Sequence, residues 1–259
     1  MSAHAGQRLV VVGGGIRPPE ANERFVDWAG GKSQARILVL TWAAPPSSSW
    51  DFFDALREEL DLFAPEEIVH GVSAGAITSQ RAQFVQQLAR ATGVYFTGGD
   101  QNRVMDLLDQ DAAAYPGKRS LLSLLQQKYQ SGTVFGGTSA GTAIMSNPML
   151  TGQADNTVLD GRKVGIRPGL GFISNVIFDQ HFLANLRTLR LMGLMFLHPG
   201  KVGLGIDEDT ALLIQDSRYA SVVGTSKVLA MELNPQTSKV ETLPLTAGQR
   251  FDLVRRTIY

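Results

Sequence analysis

The strongest constraint on the fold is a regular alternation of short apolar runs with amphipathic segments over the first half of the chain. The apolar runs are short and rich in β-branched residues, which is typical of buried strands, and the segments between them have helical spacing. The predicted strands are Leu9–Val12, Arg36–Thr41, Glu67–His70, Gly93–Phe96 and Thr133–Phe135, and the predicted helices lie around residues 20–30, 51–62, 79–91, 100–109 and 119–130. This order predicts an α/β fold, a mostly parallel sheet with helices on both faces.

Beyond residue 200 the pattern changes to short strands separated by turn residues. They are predicted at Val202–Ile206, Ala211–Ile214, Ser221–Val223 and Lys227–Glu232. Strands joined by short turns pair in the antiparallel sense, so we expect an antiparallel extension of the sheet at the C-terminus. A chain of 259 residues with 44% hydrophobic residues can fill one large core, and we expect residues 1–259 to form a single α/β domain.

The composition narrows the classes of function. The chain has no cysteine, which excludes a disulfide framework, a thiolate metal site and a cysteine nucleophile. A covalent enzyme of this composition would use serine or threonine, and we expect no metal and no cofactor. Acidic and basic residues number 24 each, so net charge favours neither nucleic acid nor an anionic membrane as a partner. No apolar run is long enough for a signal-peptide core or a membrane span, and we expect a cytoplasmic protein.

Glycine-rich turns follow three of the predicted strands, at Gly13-Gly14-Gly15, Gly98-Gly99 and Gly136-Gly137. In sheets of this type, ligands bind beyond the carboxyl ends of the strands. We therefore expect the three turns to gather on one edge of the sheet and to border the functional site. The first turn does not predict a dinucleotide site, because Pro18 replaces the third glycine of Gly-x-Gly-x-x-Gly.

Ser139 lies in Gly137-Thr138-Ser139-Ala140-Gly141, where an apolar strand passes directly into an apolar helix. A Gly-x-Ser-x-Gly turn in that setting holds a serine on a strained tip beside helix N-terminal amides, which is the arrangement of a catalytic nucleophile. Ser73 satisfies the same pattern, but the next helix is predicted to begin later, near a cap at Thr78 or Ser79. We therefore interpret Ser73 as a loop residue and Ser139 as the nucleophile.

A nucleophilic serine needs a base, and the chain contains four histidines: His4, His70, His181 and His198. His181 follows an apolar strand at its carboxyl end, the expected place for a catalytic group, whereas the others lie at the terminus, beside a loop or at a helix end. We predict that His181 is the base. The residue that orients it should come from the acidic strand end Asp207-Glu208-Asp209, among which the pattern does not choose.

Two features suit an acidic substrate. Arg187 and Arg190 lie three residues apart in a predicted helix, so both guanidinium groups can project from one face and bind a carboxylate. In the turn beyond Phe96, a glycine N–H can complete an oxyanion hole and Gln101 can hydrogen-bond to substrate.

Four ordered motifs resemble the cyanophycinases, serine exopeptidases related to the aspartyl dipeptidases. They are Phe96-Thr97-Gly98-Gly99-Asp100-Gln101, Gly137-Thr138-Ser139-Ala140-Gly141, Asp179-Gln180-His181-Phe182 and Gly205-Ile206-Asp207-Glu208-Asp209-Thr210-Ala211. The resemblance spans about Leu9 to Val223. It implies a fold akin to the class I glutamine amidotransferase domains, a dimer, and a substrate in which a β-aspartyl bond is cleaved, as in cyanophycin or β-Asp-Arg peptides.

Carried onto matching positions, the resemblance implies a triad of Ser139, His181 and Glu208. It also implies oxyanion-hole amides at Gly99 and Ala140, and substrate contacts from Gln101, Arg103, Arg187 and Arg190. The chain departs from the family in Asn185-Leu186-Arg187-Thr188-Leu189-Arg190, which lacks one arginine and both glycines of the usual Arg-Gly-Arg-x-Gly-Arg run. An α-aspartyl peptide is therefore an alternative substrate.

Two other classes share part of this pattern. In an α/β-hydrolase esterase, the triad acid lies between the serine and the histidine in the sequence, where this chain has Asp155, Asp160 and Asp179. The paired arginines argue against an esterase, because they suit an acidic acyl group better than an apolar one. A binding module that has kept the fold is disfavoured, because the complete set of Ser139, His181 and Glu208 is present.

Overall fold

The computed structural model describes residues 6–152 and 159–259. The strands are β1 (Arg8–Val12), β2 (Arg36–Leu40), β3 (Glu67–His70), β4 (Gly93–Phe96), β5 (Val134–Thr138), β6 (Met149–Leu150), β7 (Ile166–Arg167), β8 (Val176–Asp179), β9 (Val202–Ile206), β10 (Thr210–Gln215), β11 (Tyr219–Gly224), β12 (Lys227–Asn234), β13 (Lys239–Thr246), β14 (Arg250–Asp252) and β15 (Thr257–Ile258). The α-helices are α1 (Pro19–Trp28), α2 (Ser49–Asp61), α3 (Arg81–Arg90), α4 (Gln101–Ala114), α5 (Leu121–Gln130), α6 (Ala140–Ala143) and α7 (Thr188–Leu197).

A nine-stranded sheet of order β15-β14-β11-β10-β1-β5-β4-β2-β3 forms the centre of the molecule. The five strands β1, β5, β4, β2 and β3 run parallel to one another, which confirms the predicted α/β fold. On the other side of β1, strands β10, β11, β14 and β15 pair antiparallel, as expected for part of the C-terminal extension.

A second sheet of order β13-β12-β9-β8 corrects the rest of that expectation. β9 and β12 do not extend the central sheet; β9 pairs in parallel with β8 and antiparallel with β12. Two glycines of β9 allow this packing, because a Cβ on Gly205 would lie 2.4 Å from the ring of Phe182 and one on Gly203 would lie 3.0 Å from Leu191. The parallel pairing of β8 and β9 places residue 181 beside residue 207.

The central sheet is covered on both faces, as predicted. Alternate residues of β1 point in opposite directions, so Val10 and Val12 pack with α1 and α2 through Phe25 and Leu56. The side chains of Leu9 and Val11 join the other core cluster, which contains residues of α3, α4, α5 and α6. Across the described ranges, no helix combines the length and the apolar character needed to cross a bilayer.

Candidate active site

The functional residues gather at the carboxyl edge of the parallel strands. Gly13-Gly14-Gly15 follows β1 and Gly98-Gly99 follows β4, as expected, and the ends of β1, β5 and β4 are adjacent. Gly136 and Gly137 are not a turn but lie inside β5. They are required there by close packing, since a Cβ on Gly136 would lie 2.5 Å from the ring of Tyr95. The turn therefore falls one residue beyond β5, on Ser139.

Ser139 occupies a sharp turn between β5 and the one-turn helix α6. Its backbone has φ 54° and ψ −117°, a conformation that costs an L-residue on the order of 1–3 kcal/mol. The turn is held because the Ser139 amide donates to the carbonyl of Val12 at 3.0 Å, and Thr142 Oγ1 donates to the same carbonyl at 2.7 Å. The strain is typical of a nucleophile presented on a strand-to-helix tip.

Ser73, the other serine in a Gly-x-Ser-x-Gly pattern, is an exposed loop residue with ordinary extended backbone, as predicted. The following helix α3 begins at Arg81 after Gln80, so the expected caps at Thr78 and Ser79 are wrong by one or two residues. The nearest sequence histidine, His70, uses Nε2 to bind Thr41 Oγ1 at 2.9 Å and Ser49 Oγ at 3.3 Å.

His181 links the Ser139 hydroxyl to a carboxylate. Its Nε2 lies 2.8 Å from Ser139 Oγ, and its Nδ1 lies 2.6 Å from Glu208 Oε1. A carboxylate only accepts hydrogen bonds, so Nδ1 carries the proton and Nε2 is free to accept one from the serine hydroxyl. The structure therefore brings together the three residues that the family resemblance assigned to a triad.

The two neighbours of Glu208 have structural partners. Asp207 is buried and accepts hydrogen bonds from the amides of Leu183 and Ala184 and from Ser226 Oγ. Burial alone would raise the pKa of Asp207, but these hydrogen bonds outweigh it, so its pKa lies below the usual value. Asp209 accepts from the Ile16 amide at 2.6 Å. Asp207 thus holds the segment after His181, and Asp209 holds the turn after β1.

Gly14 makes room for the imidazole. A Cβ at this position would lie 2.2 Å from Cε1 and 2.4 Å from Nε2 of His181, and its φ of 117° is one that L-residues rarely adopt. The His181 amide also donates to the carbonyl of Gly13 at 2.7 Å. Sequence reasoning missed this role, although the triple glycine was its signal. The turn after β1 therefore holds the His181 imidazole in place.

Two of the acids weighed for an esterase triad bind arginines in the described part of the chain. His4 and Asp155 lie outside the described residues. Burial, with the nearby charge of Lys201, lowers the pKa of His198, which lies at the end of α7. Of the acids weighed for an esterase triad, Asp160 accepts from Arg162 and Asp179 from Arg190. Nδ1 of His181 is bound by Glu208 instead.

The backbone amides of Gly99 and Ala140 are among those at the site that have no protein acceptor in the described chain. Ala140 opens α6 directly after the nucleophile, so its N–H belongs to the unpaired first turn of a helix. Gly99 lies beside the site because a Cβ on its neighbour Gly98 would be 3.5 Å from the Ser139 Cβ. Both amides are therefore available to an oxyanion, as the resemblance implies.

The paired arginines are arranged differently from the expectation. Arg190 is buried, and its guanidinium forms a bidentate pair with Asp179, with Nε donating at 2.8 Å. Arg187 Nη1 donates to the carbonyl and side-chain oxygens of Gln180, both at 2.6 Å, and lies 3.7 Å from Asp179. The two arginines do converge on one carboxylate, as their spacing predicted, but it is the carboxylate of Asp179. The structure does not place Arg190 where it could bind a substrate.

The other two residues expected to contact substrate are Gln101 and Arg103, in the first turn of α4. Gln101 is buried and its Nε2 donates to the carbonyl of Leu150 at 2.9 Å, so this amide holds the end of β6. Arg103 is exposed, and its guanidinium has no ion pair or hydrogen bond within residues 6–152 and 159–259. Within the described part of the chain, Arg103 is therefore a cation without a partner, four residues after Gly99.

The buried pair of Arg190 and Asp179 makes a prediction about stability. Arg190→Met should lower the free energy of unfolding by about 3–5 kcal/mol, because it leaves the buried carboxylate of Asp179 without its main partner. Urea denaturation followed by circular dichroism measures the change. The double variant Asp179→Leu with Arg190→Met should recover part of the loss, since no buried charge is then unpaired. A loss below about 1 kcal/mol in the single variant would contradict this role.

Comparison with known proteins finds relatives that match most of the chain. Cyanophycinase from Synechococcus elongatus is 26% identical over 234 residues, which cover 88% of this chain and 70% of that protein. Cyanophycinase from Geminocystis herdmanii (strain PCC 6308) is 30% identical over 236 residues, covering 90% and 83%. The crystal structure of a peptidase from an acI-B1 Actinobacterium superposes with a TM-score of 0.70 at 23% identity, over 96% of this chain and 98% of that one.

Residues 20–222 match the profile of peptidase family S51. The match covers most of the chain and includes the strand-to-helix turn of Ser139, His181 and Glu208. The central parallel sheet covered by helices fits the class I glutamine amidotransferase-like fold. The chain belongs to peptidase family S51 and is a serine-type peptidase.

Proposed function

We propose that this peptidase hydrolyses aspartyl peptide bonds, with β-aspartyl peptides as its principal substrates, through an acyl-enzyme on Ser139. The observation that carries the proposal is the hydrogen-bonded series Ser139 Oγ, His181 Nε2, His181 Nδ1 and Glu208 Oε1, with distances of 2.8 Å and 2.6 Å. The likeness to cyanophycinases over about nine-tenths of the chain supports the aspartyl specificity.

The reaction follows from the geometry. Ser139 Oγ attacks the scissile carbonyl carbon while its proton passes to His181 Nε2, and the N–H groups of Gly99 and Ala140 stabilise the carbonyl oxygen as it becomes negative. Glu208 stabilises the imidazolium through Nδ1–H. The proton on Nε2 then passes to the leaving amine as the C–N bond breaks. Water, deprotonated by His181, attacks the ester, and the acid product leaves with Ser139 restored.

We assign recognition of the acidic group of the substrate to Arg103. Arg190 is neutralised by Asp179, whereas the guanidinium of Arg103, four residues after Gly99, has no partner among the described residues. Arg187 is half-buried, and its Nε is buried without a partner within the described ranges. Because that Nε is buried, a substrate carboxylate that approaches this edge pairs with the exposed guanidinium of Arg103 instead. The missing third arginine of the family run leaves α-aspartyl peptides as the alternative.

A panel of dipeptides tests the proposed function. It contains β-Asp-Leu, α-Asp-Leu, Asn-Leu and Leu-Leu, and release of the amine is followed by ninhydrin or by mass spectrometry. We expect the aspartyl peptides to exceed Asn-Leu in kcat/KM by about 10²-fold or more, because the uncharged amide leaves the cations of the site unpaired. Arg103→Met should reduce this ratio without reducing turnover of Asn-Leu. Cleavage of p-nitrophenyl acetate together with no aspartyl peptide would overturn the proposal in favour of an esterase.

A further inference from the structure

The turn after β1 ends at Arg17, whose guanidinium is bound to α2. Arg17 Nε donates to Glu59 Oε2 at 2.7 Å, and Nη2 donates to Oε1 at 2.5 Å, so the pair is bidentate. The side chains are only 16% and 34% exposed, which shields the pair from water and salt. A bidentate pair fixes orientation as well as distance. We call residues 13–17 the β1 turn and this contact the Arg17–Glu59 pair.

The carboxylate of the Arg17–Glu59 pair is also held by α1. Asn22 Nδ2, in the second turn of that helix, donates to Glu59 Oε2 at 2.9 Å. Burial alone would lower the pKa of Arg17, but the hydrogen bond to Glu59 outweighs it, so the pKa of Arg17 lies above its usual value. The guanidinium therefore keeps its charge at neutral pH, and the pair ties the β1 turn to both α1 and α2.

The glycines of the β1 turn lie against the histidine and the carboxylate of the candidate triad. A Cβ on Gly14 would lie 2.2 Å from Cε1 of His181. A Cβ on Gly15 would lie 3.1 Å from the Cβ of Glu208. The carbonyl of Gly13 accepts the His181 amide at 2.7 Å. A displacement of the β1 turn would therefore move the imidazole relative to Ser139.

Three consecutive glycines do not hold a conformation by themselves, because glycine has the most backbone freedom to lose on folding. The β1 turn therefore depends on contacts with the rest of the fold. On one side, Asp209 donates its amide to the carbonyl of Gly14 at 3.0 Å and accepts the amide of Ile16 at 2.6 Å. On the side of α2, the Arg17–Glu59 pair holds the end of the turn.

We propose that Arg17 is a positioning residue of this peptidase, which holds the β1 turn against the His181 imidazole through its pair with Glu59. The proposal rests on the triad of the proposed function and adds a residue that acts through the turn. His181 Nε2 lies 2.8 Å from Ser139 Oγ. A misplacement of reacting groups by about 1 Å costs about 10²-fold in rate, so a small shift of the turn should be measurable in the kinetics.

Arg17→Met tests the inference through the rate constant for labelling of Ser139 by a fluorophosphonate, which does not depend on recognition of a peptide. The rate constant should fall about tenfold, and kcat for a β-aspartyl dipeptide should fall by a similar factor while KM changes less than about twofold. Arg17→Lys should keep part of the rate, because an ammonium group keeps the charge but not the bidentate contact. Arg57→Met is the matched control and should label at the wild-type rate, since Arg57 pairs at 3.5 Å with Asp61 of its own helix and both side chains are 54% exposed.

A double variant, Arg17→Met with Glu59→Met, separates positioning from stability. The single variant leaves the Glu59 carboxylate without its cation and should lose thermal stability, whereas the double variant has no unpaired charge and should regain it. The labelling rate should stay low in both, because apolar side chains do not fix the orientation of the turn. If the labelling rate recovers together with the melting temperature, or never falls in Arg17→Met, the inference is wrong.

Proton NMR separates this outcome from failure of the proposed function. If wild-type Ser139 is not labelled, the triad fails as a catalytic unit, and the seat of the imidazole is then judged from its own signal. The Nδ1 proton that His181 shares with Glu208 at 2.6 Å should give a downfield resonance that is absent from Glu208→Gln. Arg17→Met should shift or broaden this resonance and Arg57→Met should not. An unchanged resonance in Arg17→Met contradicts the inference.

Discussion

Replacing Ser139 with alanine should lower kcat for aspartyl peptides by about 10⁵- to 10⁶-fold. The variant lacks the oxygen that lies 2.8 Å from His181 Nε2, so no acyl-enzyme can form. The oxyanion-hole amides remain, which leaves a small residual rate. Turnover of a β-aspartyl dipeptide measures the loss, and labelling by a fluorophosphonate should disappear with it. Activity within tenfold of the wild type would exclude Ser139 as the nucleophile.

Two companion variants separate chemistry from folding. Ser139→Ala keeps the strained backbone, whereas Ser139→Gly removes the Cβ that makes φ 54° costly, so the glycine variant should be the more stable of the two by about 1 kcal/mol. Thermal unfolding compares them. Ser73→Ala controls for the second Gly-x-Ser-x-Gly pattern and should keep the fluorophosphonate label, because Ser73 is an exposed loop residue.

The sheet was largely predictable because buried parallel strands are short apolar runs that helices must separate. The predicted strand at Glu67–His70 has the observed bounds, and so does that at Gly93–Phe96. The second sheet was not predictable, since β9 and β10 are both short apolar strands and only their pairing assigns them to different sheets. Gly205 of β9 also leaves room for the ring of Phe182, a contact that strand periodicity does not encode.

The candidate site was also predictable only in part. Ser139 and His181 were found because each follows a strand on the edge where ligands bind. The paired arginines were misjudged for a physical reason: helical spacing fixes which face a side chain is on but not which charge it meets. Asp179 precedes Arg190 by eleven residues, and only the fold brings them into a bidentate pair. Gly14 was noticed as part of a turn, yet its contact with the imidazole depends on a residue far along the chain.

Glu208→Gln should lower kcat by about 10³- to 10⁴-fold while KM and the melting temperature change little. A neutral amide at position 208 offers no charged acceptor to the Nδ1–H tautomer of His181 and does not stabilise the imidazolium. It fills the same volume at a half-buried position, so the fold should be kept. Steady-state kinetics on a β-aspartyl dipeptide give kcat and KM, and thermal unfolding gives the melting temperature.

Asp207→Asn, one residue away, is the matched comparison. It should lower stability, whereas Glu208→Gln should lower kcat. The Asp207 carboxylate accepts hydrogen bonds from two backbone amides and the Ser226 hydroxyl, so the main effect of the amide variant should be a loss of stability. Activity should fall because the segment after His181 is displaced.

The pH dependence of stability gives a further test. The fold lowers the pKa of Asp207, so its contribution to stability is present above the usual aspartate pKa near 3.9 and is lost as the pH falls below it. The difference in unfolding free energy between wild type and Asp207→Asn should therefore shrink in acid. Glu208→Gln should show its loss of kcat at neutral pH with no difference in unfolding free energy from the wild type. If Glu208→Gln instead lost stability and kept its kcat, the carboxylate that orients His181 would have to be sought at another position.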